Sequence, residues 1–195
     1  MIELDNAIHV FDDIFSPREI EQVFAALTHP GFEWFFGVTR DKTVSNENYE
    51  LLSDDNTFEQ FQLTHWFMVN GEWAPSEYAG LMRGLFTKIA SRIGHGAAQL
   101  DRIKANLQTR TLSERKYNTP HVDNKTRQHF VAIYYVNDAD GRTYLFRNRD
   151  MPLKVLKEVK SKAGRVVVFD GAQLHAGSHP RRSDYRMVIN FNFTL

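Results

Sequence analysis

The sequence predicts a mainly β protein, an antiparallel barrel or sandwich with helices packed outside it. Two helical patterns occupy the first half of the chain. Short segments rich in Val, Ile, Tyr and Phe, punctuated by Gly and Asx turn signals, fill the second. There is no βαβ alternation, no repeat and no Gly-rich phosphate loop, which argues against a parallel sheet and for helices segregated to one side of an antiparallel one. A chain of 195 residues, 42% hydrophobic and 13% aromatic, can bury one sizeable core. It reads as one domain, 1–195, with a helix-rich support region (1–100) and a β core (101–195).

The first helix is expected over residues 16–28, "SPREIEQVFAALT". Ser16 suits the N-cap, Pro17 the first helical position, and Glu19 completes a capping box. Ile20, Val23, Phe24 and Leu27 then make one apolar stripe. Residues 32–39 and 61–69 read as strands, and the polar stretch 40–57 between them as a solvated loop rather than a lid. The second helix is expected over 76–93, capped by Ser76 and stopped at Gly94. Its stripe runs through Tyr78, Leu81, Met82, Leu85, Ile89 and Ile93. Trp34, Trp66 and Trp73 are expected in the core. In the last strand Met187, Ile189, Phe191 and Phe193 share an apolar face that should pack on helices. Arg186, Val188, Asn190 and Asn192 share the other, as expected for a pocket lining.

Charge and composition exclude several functions. Lys plus Arg is 24 and Asp plus Glu is 24, so no surplus positive charge favours nucleic acid. The segments "VLKEVKSK" and "PRRSDYR" are locally basic and read as solvated strand edges. Without cysteine there is no thiolate metal site and no thiol nucleophile. A metal would be held by His, Asp, Glu or carbonyl oxygen, which suits iron, manganese, zinc or magnesium. The N-terminus lacks a signal-peptide pattern and no apolar run is long enough to span a membrane, so a cytoplasmic protein is expected.

The candidate chemistry lies in "NTPHVDN". In an extended segment His121 and Asp123 project to the same side. They are either two metal ligands or two polar residues in a turn, and the triplet alone does not decide. His175, in "DGAQLHAGSHPRR", supplies a third ligand. Two histidines and one carboxylate would form the facial triad that leaves iron three open positions. Arg186, opening the pocket-facing row, predicts a carboxylate co-substrate held in a bidentate pair. His9, His29, His65 and His95 stand alone and read as structural; His129 begins a strand that could bring it near the site.

"PHVDN", "IYYVN", "DGRTYLF", "AGRVVVFDG", "HAGSHP" and "YRMVINFNF", in this order and spacing, resemble the Fe(II)/2-oxoglutarate-dependent dioxygenases, most closely their prolyl 4-hydroxylase-like branch. The resemblance covers roughly residues 104–195. It implies a double-stranded β-helix, or jelly roll, braced by α-helices. It implies iron ligands at His121, Asp123 and His175, with His175 preferred over His179 because it precedes the family's xGxxP pattern. Arg186 and Tyr135 match residues that hold the distal carboxylate of 2-oxoglutarate. Asn106, and more loosely Tyr117, match positions near its metal-bound end. Gly141-Arg142 stands where the family usually has paired glycines, a departure confined to a turn. The implied activity is oxidative decarboxylation of 2-oxoglutarate to succinate coupled to C–H hydroxylation, with O2 as oxidant and ascorbate as reductant. The prime substrate would be a protein side chain or a small molecule. A non-catalytic jelly-roll binding module and a His2Asp zinc enzyme are the competing readings.

Overall fold

The computed structural model describes residues 2–4, 7–38, 50–52, 55, 57–58, 61–124 and 128–195. The first half contains β1 (Ile8–Phe11), α1 (Pro17–Thr28), β2 (Phe35–Val38), β3 (Glu50–Leu51), β4 (Thr57–Phe58), β5 (Phe61–Val69), β6 (Glu72–Trp73) and α2 (Ala79–Ile93). The second contains β7 (Gln99–Thr109), β8 (Tyr117–Asn118), β9 (His121–Val122), β10 (Phe130–Tyr135) and β11 (Ala139–Phe146). It ends with β12 (Val155–Ser161), β13 (Val166–Asp170), β14 (His175–Gly177) and β15 (Tyr185–Thr194).

The strands form a jelly roll. A large antiparallel sheet runs β1-β13-β10-β15-β7-β5-β2, with β6 paired to β5. A smaller sheet runs β12-β11-β14-β9-β3. β12, the "VLKEVKS" strand, lies at an edge as its lysines suggested.

Both helices cover the outer face of the large sheet. Val23 and Leu27 of α1 and Met82, Leu85, Phe86 and Ile89 of α2 share one buried cluster with Met187, Ile189, Phe191 and Phe193. Alternation in β15 thus sends four apolar side chains outward to the helices and leaves the intervening row facing the second sheet. A second cluster, including Val131, Ile133, Tyr135, Leu145 and Val188, fills part of the space between the sheets.

α1 starts as the sequence requires: Ser16 and Glu19 form a reciprocal capping box, with Pro at the first turn. Gly164 turns the β12–β13 connection with φ +79, and a Cβ there would lie 2.3 Å from Ile20 of α1. That position needs glycine for both conformation and contact.

Several boundaries differ from expectation. α2 begins at Ala79 with Tyr78 as N-cap and no side-chain cap. Ser76 instead accepts from the Tyr78 N–H and faces His65 Nε2 at 3.4 Å. β2 starts at Phe35 because the Phe32 N–H bonds the His29 carbonyl and Phe32 packs into the core beyond α1. Much of the stretch 40–57 lies outside the described residues, and with it the choice between loop and lid. Two short strands stand at its end: β3 pairs with β9, Leu51 opposite His121, and β4, which begins at Thr57, pairs in parallel with β8. Trp34 and Trp73 pack against the helix-side core. Trp66 does not; it stands beside Arg102 and Lys104 on the pocket side of the sheet.

Candidate metal centre and pocket

The pairing of β14 with β9 sets His175 directly opposite His121. Their rings lie 4.4 Å apart between centroids. Asp123 follows β9 and reaches the same point. One ligand atom from each of His121, Asp123 and His175 lies within 4.8 Å of the others. His179 is not part of this group; it is buried, bonded to the Thr109 carbonyl, and sits on the far side of the small sheet with Arg142 and Lys160. His129 is buried behind Gly171, where a Cβ would lie 2.3 Å from its ring, and is likewise outside the triad.

The second ring nitrogens orient the histidines. His121 Nδ1 donates to the Thr119 carbonyl at 3.2 Å, and His175 Nδ1 to the Gln173 carbonyl at 2.9 Å. With Nδ1 protonated, each Nε2 presents a lone pair to the centre. Burial depresses both pKa values, that of His121 to about 3, so both rings are neutral. Burial opposes ionisation of Asp123, yet Arg102 at 3.5 Å, both histidines and the Asn192 amide hold its pKa well below the ordinary carboxylate range. Asn192 Nδ2 donates to Oδ2 at 2.9 Å.

The donor set fits a divalent metal. His175 Nε2 and Asp123 Oδ1 are buried and have no hydrogen-bond partner, an arrangement that costs free energy unless something else satisfies them. Two neutral imidazoles and one carboxylate converging from one side meet the requirement for iron with open positions.

The pocket continues from the triad between the sheets to Arg186. Arg186 is 2% exposed. Its Nε donates to Ser161 Oγ at 2.8 Å, Nη1 to Gln108 Oε1 at 2.8 Å and Nη2 to Thr143 Oγ1 at 2.9 Å. All three partners are neutral. Burial pulls its pKa below the usual arginine value. Tyr135 lies beneath the guanidinium, 5.5 Å from ring centroid to Cζ, and donates to Thr143 Oγ1 at 2.8 Å.

Asn106 lines the pocket from β7. Tyr117 is not among the lining residues. Tyr117 packs against Tyr144 and Phe146 in a separate cluster, with ring centroids 5.3 and 5.0 Å away. One residue further along β8, side chains turn to the other side, and Asn118 and Thr119 line the pocket instead. Sequence reading missed these two, and also Arg102, Lys104 and Gln108. The signal was present in β7, where Arg102, Lys104, Asn106 and Gln108 alternate with Ile103, Ala105 and Leu107.

Comparison with known proteins agrees with this geometry. Residues 107–194 match the model of the 2OG-Fe(II) oxygenase superfamily, a stretch that contains the triad, Tyr135 and Arg186. No curated protein matches. Among solved structures, the α-ketoglutarate-dependent epimerase SnoN from nogalamycin biosynthesis aligns with a TM-score of 0.62 at 13% identity, over 97% of this chain and 78% of that one. A Trichoplax adhaerens prolyl hydroxylase aligns at 0.61 and 14% identity, over 96% and 84% of the two chains. A Pseudomonas putida prolyl-4-hydroxylase aligns at 0.59 and 13%, over 96% and 92%. At these identities the likeness is one of fold. Residues 107–194, with the triad, are thus similar to the 2OG-Fe(II) oxygenases, and the arrangement supports an Fe(II)- and 2-oxoglutarate-dependent dioxygenase. No helix among the described residues is long and apolar enough to cross a membrane.

Proposed function

We propose that the protein is a hydroxylase of the prolyl 4-hydroxylase-like branch, acting on a C–H bond of a protein side chain or a small molecule. In this reading His121, Asp123 and His175 hold Fe(II), and Arg186 holds the distal carboxylate of 2-oxoglutarate. The observation that carries it is Arg186, a buried guanidinium hydrogen-bonded to the neutral side chains of Ser161, Gln108 and Thr143, in the pocket that His121 and His175 also line. A carboxylate is the ligand that satisfies its charge and its planar fork together.

When bound, iron and 2-oxoglutarate supply the oxidising chemistry, with O2 consumed and succinate and CO2 released. The chain's own residues orient and enclose. Ser161, Gln108 and Thr143 fix the guanidinium. Tyr135 holds Thr143 and faces the same carboxylate position, and Asn106 lines the route between Arg186 and the triad. Asn192 steadies Asp123 so that its other oxygen faces the centre. Ascorbate is the expected reductant for keeping iron ferrous.

Arg186→Ala should weaken 2-oxoglutarate binding at least about 30-fold while Fe(II) binding stays intact, the cost of removing one partner of a buried charge pair. Anaerobic titration of both proteins with 2-oxoglutarate, followed by the visible band of the Fe(II) complex, measures this. Unchanged affinity would remove Arg186 from the co-substrate site. Zinc in the purified protein without 2-oxoglutarate turnover would return the site to the zinc-enzyme reading.

A further inference from the structure

The pocket wall beside the triad holds hydrogen-bonding groups that the rest of the chain leaves open. Asn118 of β8 lines the pocket. The Thr119 carbonyl, next along the chain, accepts from His121 Nδ1, so Asn118 is tied closely to a metal ligand. Asn118 is 2% exposed, and neither its Nδ2 nor its Oδ1 has a hydrogen-bond partner among the described residues. Thr119, 3% exposed, leaves Oγ1 open in the same way. Asn190 lines the pocket from β15, and its buried Oδ1 accepts from no described group. Each buried donor or acceptor left without a partner costs free energy, so a ligand of matching polarity is implied.

2-Oxoglutarate matches only part of this set. As a dianion it offers carboxylate and keto oxygens, which accept and do not donate. It can take a bond from Asn118 Nδ2, but it has no hydrogen for Asn118 Oδ1 or Asn190 Oδ1. The group that completes Asn118 therefore carries an acceptor and a donor side by side. An amide does so: its carbonyl and its N–H pair with the two ends of a carboxamide in one plane. A nucleobase edge offers a similar pattern, but a base also binds through a ring face on which it stacks. Among the described lining residues, the rings are those of His121 and His175, which belong to the triad. The lining thus favours an amide over a base.

Resting on the dioxygenase reading above, we propose that Asn118 is a specificity-determining residue that binds an amide group of the prime substrate, Nδ2 donating to its carbonyl and Oδ1 accepting from its N–H. Thr119 Oγ1 flanks that amide. The chemistry is the same whether the amide belongs to a peptide chain or to a small molecule, and it is distinct from the carboxylate site at Arg186.

The test uses the whole protein loaded with Mn(II) and 2-oxoglutarate in the absence of O2. Ligand-observed NMR titrations compare N-methylacetamide with methyl acetate, which has the same shape and lacks only the N–H. The amide should bind at least about fivefold more tightly, with its signals broadened by the nearby Mn(II). Asn118→Leu, close to isosteric, should erase that preference and keep 2-oxoglutarate affinity within about twofold. It should melt no lower than the parent, since it removes two unpartnered polar atoms from the interior. Asn118→Ala should erase the preference too, and guards against a leucine variant that fails to fold. Equal binding of amide and ester, or a variant that keeps the preference, would overturn the proposal. So would a variant that loses 2-oxoglutarate affinity, because Asn118 would then serve the co-substrate, and so would tighter, Asn118-dependent binding of 9-methyladenine. N-acetyl-triglycine amide distinguishes the sources: tighter binding than N-methylacetamide supports the proposal with a peptide, equal binding supports it with a small molecule. If the parent itself failed to bind 2-oxoglutarate, the dioxygenase reading would fall, and the same titrations on the protein alone would still judge Asn118.

Discussion

Gly141 has no side chain because none fits. A Cβ there would lie 2.7 Å from Arg186 Cδ and 2.7 Å from the Ser178 carbonyl oxygen. The backbone of β11 thus presses on the arginine that the co-substrate reading depends on. Gly141→Ala should cost about 1–3 kcal/mol by overpacking and should weaken 2-oxoglutarate binding through displacement of the guanidinium. Thermal unfolding and the anaerobic titration read the two effects separately. A stable variant with parental 2-oxoglutarate affinity would show that Arg186 is less tightly placed than the contacts imply. At the residue scale, the sequence singled out the three residues that the structure brings together and the arginine in the same pocket. The segment before His121 has no clear period, so it did not separate Tyr117, which packs in a separate cluster, from Asn118, which lines the pocket.

At the scale of elements, α1 is the clearest case of local sequence specifying local structure. Ser16 Oγ accepts from the Glu19 N–H, Glu19 accepts from the Ser16 N–H at 2.9 Å, and Glu19 also pairs with Lys88 of α2. The capping box therefore starts one helix and ties it to the other. Ser16→Ala should lower stability by about 1 kcal/mol, a Tm loss of roughly 2–4 °C for a chain of this size. The pocket should be untouched, since α1 lies on the opposite face of the large sheet. Differential scanning calorimetry beside the 2-oxoglutarate titration would show it; a change in affinity would contradict the separation of the two faces. α2 shows the limit of such reading. "APSEY" contains a good cap residue, but Ser76 is engaged with the Tyr78 N–H and with His65, whose Nδ1 donates to the Glu33 carbonyl at 2.7 Å. A tertiary contact overrode the local preference.

For the whole molecule, the loop before β15 depends on a charge. Asp140 accepts from the backbone N–H groups of Arg181, Arg182 and Ser183 at 3.0–3.2 Å. Partial burial opposes its ionisation, but these bonds hold its pKa at about 2. A carboxyl depressed in the folded state contributes stability that is fully present above its unfolded value of about 3.9 and is lost as pH falls toward 2. Asp140→Asn should therefore melt below the parent at pH 6, and the difference should shrink as pH falls from 5 to about 2.5. Melting curves of the two proteins across that range test the linkage; a gap of constant size would mean that the bonds to 181–183 do not depend on the charge. Arg186 enters β15 directly after this loop, so the same acid range should also weaken its placement.

Period and order along the chain determined much by themselves. Alternation in β15 divided helix-facing from pocket-facing residues. Helical stripes and one capping box located α1, and the spacing of short motifs carried the resemblance to a family and pointed to three candidate ligands. These are local or linear properties, visible wherever side-chain direction follows residue number. Tertiary structure alone decided what depends on strands meeting across the chain. It set His175 opposite His121, brought Asn192 to Asp123, and gave Arg186 three neutral partners from β7, β11 and β12. It also gathered Arg102, Lys104 and Asn118 around one cavity. No spacing in the sequence records those meetings, because non-local strand pairing sets them and each strand's neighbours are distant in the chain.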